Sequence, residues 1–123
     1  MSYANGTLLQ VTGTAAIFLV LDGQTCLIPD PPTATNLFTP TALGNLQQIS
    51  QADFTTLPAG PILTSGAALA RGAGQSPVYL ISWGQRCWIS SFQVFENYGF
   101  NENTIQSTPV LVLNGFPQGV SLL

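Results

Sequence analysis

Apolar residues run through the chain in short blocks separated by small polar turns. Ile17-Phe18-Leu19-Val20-Leu21 is followed by Asp22-Gly23 and then by Gln24-Thr25-Cys26-Leu27-Ile28. β-Branched and aromatic residues on both sides of a Gly at the second turn position predict a β-hairpin. Its turn is of type I′, which needs positive φ at that position. Val78-Tyr79-Leu80-Ile81-Ser82, Trp83-Gly84 and Gln85-Arg86-Cys87-Trp88-Ile89 repeat the plan. Further short strands are expected at residues 7–11 and 68–71. After Ser90-Ser91, apolar residues at Phe92, Phe95 and Tyr98 with Gly99 behind them predict a short capped helix. The matching stretch of the first half carries Pro29, Pro31, Pro32 and Pro40, which predicts a helix that is short or starts late. Around residues 49–57 and 105–113 a strand or turn leads to Pro58-Ala59-Gly60 and to Pro117-Gln118-Gly119.

The two hairpins align without a gap at an offset of 61, from Gly23 to Gly84, with Gln, Cys and Ile recurring in place. Leu8 and Gly13 match Leu69 and Gly74 at the same offset, and the Pro-x-Gly tails match once the offset drifts. Agreement at three separate places predicts a duplication. The expected architecture is mainly β with short helices: two tandem β-hairpin-plus-helix repeats, residues 1–64 and 65–123. They meet near Thr64-Ser65-Gly66 and pack as one pseudo-twofold domain.

Composition narrows the function. Only 6% of the 123 residues are charged while 46% are hydrophobic, so Thr, Ser, Gln and Asn must keep the surface wet. Lys is absent, and Arg71 and Arg86 are the only cations, which argues against nucleic acid and anionic membrane as partners. Without His, neither Ser-His-Asp nor Cys-His catalysis nor a His-ligated metal site can form. The acids Asp22, Asp30, Asp53, Glu96 and Glu102 fall in no recognisable catalytic motif, so no enzyme activity, cofactor or metal is expected. Met1-Ser2-Tyr3-Ala4-Asn5 lacks a basic region, and the apolar run Ala15 to Leu21 is too short to span a bilayer. That leaves an intracellular chain, or an exported one whose signal has been removed.

The second-half pattern Val78-Tyr79-Leu80-Ile81-x-x-Gly84-Gln85-Arg86-x-Trp88-Ile89, then Phe92, Phe95, Gly99-Phe100 and Pro117-x-Gly119, resembles a known module. It recurs, often in tandem, in bacterial secreted and surface proteins. The first half keeps the hairpin and the Pro-x-Gly but lacks the Arg-Trp pair, and Cys26 and Cys87 stand where that module usually has a basic residue. The resemblance implies non-catalytic attachment or scaffold duty and carries over no catalytic residue.

Trp83 is the most informative single position, because turn tips usually carry small polar residues and the first hairpin has Asp22 there. Its indole either folds back on the other module or offers a stacking platform to a partner. Trp83, Tyr79, Gln85 and Asn97 are the candidate ligand-binding residues, of the types that hold a neutral glycan. Duplicated hairpins would offer two sites and avidity. The alternative is a self-assembling structural subunit that meets another protein surface, since a nearly charge-free surface opposes homo-oligomers little. Trp88 reads as core or interface, Tyr98 as core-facing, and Arg86 as a solubilising residue or a partner for Glu96. Cys26 and Cys87 read as buried free thiols or as a disulfide near the axis. The second module is expected to carry the function, with loss of Trp83 costing binding and little stability, and loss of Asp22 costing neither.

Overall fold

A computed structural model describes residues 3–123, so Met1 and Ser2 of the N-terminal reading lie outside the described residues. The fold mixes α and β but is mostly β with short helices, arranged around two four-stranded sheets. The first half supplies β1 (Leu8–Val11), β2 (Ile17–Leu21), β3 (Gln24–Leu27), α1 (Pro31–Leu37), α2 (Pro40–Gly44), β4 (Gln47–Ile49) and α3 (Gln51–Phe54). The second supplies β5 (Ala68–Gly72), β6 (Val78–Ser82), β7 (Gln85–Trp88), α4 (Phe92–Asn97), β8 (Gln106–Thr108) and α5 (Val110–Asn114).

The strand orders are β3-β2-β1-β4 and β7-β6-β5-β8. Each sheet is an antiparallel meander with one parallel strand added beside its first strand. Leu8 faces Leu19 and Leu19 faces Cys26 in one sheet; Leu69 faces Leu80 and Leu80 faces Cys87 in the other. The Pro-x-Gly tails then run beside the open edge of each hairpin. Thr25 N–H donates to Pro58 O and Gly60 N–H to Thr25 O. In the second half Arg86 N–H donates to Pro117 O and Gly119 N–H to Arg86 O, each at 2.9 Å. An edge paired in this way is closed to other chains.

Both hairpins turn as expected, with φ of 53° and 74° at Asp22-Gly23 and 56° and 67° at Trp83-Gly84. Ser91 caps α4 through Val94 N–H, and Gly99 follows at φ 69°. Two expectations need correction. The prolines do not shorten the first helix: α1 has seven residues against six in α4, because Pro31 and Pro32 occupy its first turn, where no N–H partner is lost, and Asp30 caps it. The tails hold more than strand or turn, since α3 and α5 follow β4 and β8. Phe92 stacks on Phe95 from outside and is 65% exposed.

One hydrophobic cluster spans both halves, with Leu19, Leu80, Cys26, Cys87, Ile28, Ile89, Leu63 and Leu122 among its members. Phe38 and Phe100 meet across it on an antiparallel bridge, their rings stacked at 5.5 Å. Thr39 N–H donates to Gly99 O and Asn101 N–H to Leu37 O, both 2.9 Å, so backbone bonds also cross the seam. Burying one such Leu or Phe contributes about 1.5–3 kcal/mol, which makes the shared cluster the main source of cohesion between the halves.

Candidate functional site

The tips of the two hairpins come together at a pocket of about 340 Å³, within the usual size range of small-ligand sites. Leu21, Cys26, Pro61 and Val120 make its apolar surface, and Asp22, Gln24, Trp83 and Gln85 complete its lining. Three pairs of these residues hold corresponding places in the two halves: Asp22 with Trp83, Gln24 with Gln85, and Pro61 with Val120. The pocket therefore belongs to neither half alone.

Each wall is held in place from elsewhere. Asn5 Oδ1 accepts from Gly23 N–H at 2.9 Å and pins the first tip. On the second, Trp83 N–H donates to Thr64 Oγ1 and the indole N–H to Ile62 O, both at 2.7 Å. A bulky residue at positive φ is an outlier that its surroundings must enforce. Here the segment Ile62–Thr64, with Thr64 N–H donating to Ser82 Oγ at 3.0 Å, does so. Trp83 is consequently half-buried and packed against the shared cluster. Of the two alternatives for this indole, the fold-back is seen: the ring packs against the shared cluster and its N–H is bonded to the first half.

Below the rim, Cys26 and Cys87 are free and fully buried. Their neighbours explain the Pro-x-Gly tails. A Cβ on Gly60 would stand 2.8 Å from Cys26 Sγ, and one on Gly119 would stand 2.9 Å from Cys87 Sγ. Burial, and secondly the Asp22 carboxylate, push the Cys26 thiol up to about 11; burial pushes Cys87 up as well. At neutral pH both are therefore thiols rather than nucleophilic thiolates. Tyr98, 1% exposed, has a buried hydroxyl with no hydrogen-bond partner. Burial, then Asp22 and Cys26, push it up to about 12.

Of the four candidate residues, the structure brings Trp83 and Gln85 together and leaves two apart. Tyr79 lies on the outer face of the second sheet, its ring 5.4 Å from the Arg86 guanidinium carbon. Arg86 also donates to Asn114 Oδ1 at 3.3 Å, so Asn114 and Tyr79 take the place expected for Glu96. Asn97 accepts from Gln93 Nε2 at 2.9 Å and lines a separate open cleft with Asn5, Asn45, Gln47 and Glu96. Sequence reasoning missed Gln24 and Asp22. The signal for both was present, since they stand opposite Gln85 and Trp83 in the repeat alignment.

The remaining acids are used locally or stand at the surface. Asp30 caps α1 and also accepts from Thr33 and Ser65, which lowers its carboxyl below the usual range. Asp53 sits in the first turn of α3. Among the described residues no three His, Cys, Asp or Glu side chains group to hold a metal, and no helix is long and apolar enough to cross a membrane. Compared with protein-family models, curated proteins and solved structures, the chain finds no match.

Proposed function

We propose that this chain is a non-catalytic, lectin-like binding module for neutral carbohydrate, built as two repeats about a pseudo-twofold axis with the ligand held between the hairpin tips. The observation that carries this reading is the make-up of the pocket at the seam. An indole offers an apolar face for a sugar ring, and the amides of Gln24 and Gln85 can each donate and accept toward hydroxyls. The repeat supplies one composite site rather than two separate ones. Support for the repeat itself comes from the equal strand orders, the matching registers and the paired residues of the shared cluster. The resemblance to modules of secreted and surface proteins supports an attachment role in an exported setting. A glycan array probed at high protein concentration tests the reading. Neutral glycans should give signal that Gln24→Ala and Gln85→Ala each reduce, and an array at background for the unaltered chain overturns it.

A second reading, the self-assembling subunit, has its own observation. Leu111 and Val112 on α5 are 86% and 55% exposed, and a net charge of −3 opposes association little. Sedimentation at high micromolar concentration tests it, and a strictly monomeric species counts against it.

A further inference from the structure

The same pocket carries more chemical information than a neutral sugar needs, and the ligand assigned to it here rests on the carbohydrate reading. Its lining holds a single charged side chain, Asp22, in the same pocket as Trp83. Among the described residues the Asp22 carboxylate takes no hydrogen bond and no ion pair. Neither cation of the chain can serve it. Arg86 is taken up by Tyr79 and Asn114 on the outer face of its sheet, and Arg71 lines another pocket with Phe92 and Glu102. The field of Asp22 nevertheless reaches inward, since it helps to raise both Cys26 and Tyr98.

A carboxylate and an indole lining one pocket are the pairing that recognises an ammonium group, by Coulomb attraction to the one and by the negative face of the other. The two amides between them suit hydroxyl groups. We propose that the pocket between the hairpin tips takes an amino sugar with a free amine. The ammonium lies against Asp22, the apolar face of the ring lies on Trp83, and the hydroxyls meet Gln24 and Gln85. Backbone geometry fits the assignment as well. Asp tolerates the left-handed turn position at φ 53°, so the charge is placed there without strain comparable to that at Trp83.

The test compares three probes by calorimetry at about pH 6, below the range in which amines lose their proton: a glucosamine trimer, an N-acetylglucosamine trimer and choline. The expected result is that the glucosamine trimer binds about tenfold more tightly than its acetylated counterpart, the scale of one solvated ion pair plus one cation–π contact. That preference should shrink as salt is raised. Asp22→Asn keeps the size of the side chain and suits the turn, so it removes the charge without unfolding the tip; the ratio of the two trimers should then fall to about one. Equal binding of both trimers to the unaltered protein overturns the amino-sugar assignment and leaves the neutral-carbohydrate reading standing. Choline binding as tightly as the glucosamine trimer overturns both, because the sugar ring then contributes nothing. Silence from all three probes overturns the amino-sugar assignment, while the neutral-carbohydrate reading falls only if the glycan array is silent too.

Discussion

The two sheets differ most on their outer faces. In the first, Leu9, Val11, Val20 and Ile49 are buried there in a cluster of their own, roofed by Phe54, whose ring lies 4.5 Å from that of Phe18. The corresponding places in the second hold Ala70, Gly72, Ile81 and Thr108, with Leu113 from α5 in place of Phe54. Trp88 stands 40% exposed where the first sheet has Leu27. The inner strand faces are closer, with Leu8 and Leu69, Leu19 and Leu80, Cys26 and Cys87, and Ile28 and Ile89 alike, although Leu21 answers to Ser82. Residues that meet at the seam are bound by each other's volume, since a close-packed interior resists change of a single methylene. An outer face answers only to its own covering helix, so the two could be filled differently. The difference separates a seam under mutual constraint from two surfaces that are independent of each other.

The sharpest way to break that contrast is at its strongest point. Leu19→Ala and Leu80→Ala remove fully buried side chains from matching places in the shared cluster, and each should cost about 2–5 kcal/mol. Urea unfolding should show the two costs close to one another and a single transition in both variants. Two separate transitions in either variant would mean that the halves unfold independently and that the seam holds little.

Much of this was legible in the sequence. The hairpins, their type I′ turns, the Ser91 cap and the buried thiols follow from local rules that need no partner: Gly at a positive-φ position, Ser before a helix, Cys on an apolar strand. What the sequence concealed was distance across the fold. Nothing local to Tyr79 or Asn97 tells what each will face across the fold, and neither lines the pocket with Trp83. Asp22 was set aside as the plain member of its pair, although the fold brings it to the same pocket as Trp83. The prolines of α1 misled because a Pro is costly inside a helix and harmless in its first turn.

A medium effect is expected from pH, and it sharpens the description of the seam. Cys26 and Tyr98 stay neutral in the fold, with values raised from 9.0 to about 11 and from 10.0 to about 12. The unfolded chain therefore releases these protons at lower pH than the folded one does. The stability tied to them is fully present below about pH 9 and is lost as pH rises through the window up to about 12. Tyr98→Phe should flatten the upper part of that loss. It also removes a buried hydroxyl that has no partner, so at neutral pH it should be neutral or stabilising by about 1 kcal/mol. A loss of several kcal/mol at neutral pH would mean that the hydroxyl has a bonding role.

The smallest effect on stability is expected on α5, where the outer faces differ most in what they present to solvent. Leu111 and Val112 stand where the first half has Ala52 and Asp53, so one outer helix offers water a small residue and a carboxylate and the other offers it two aliphatic chains. Leu111 is 86% exposed, so Leu111→Ser removes almost no buried area and should change the unfolding free energy by no more than about 0.5 kcal/mol. Association is a separate matter. If α5 is a contact between copies, Leu111→Ser should lower the sedimentation coefficient at high micromolar concentration while the melting temperature stays put. If the unaltered chain is already monomeric there, the exposed pair does not join copies of this chain.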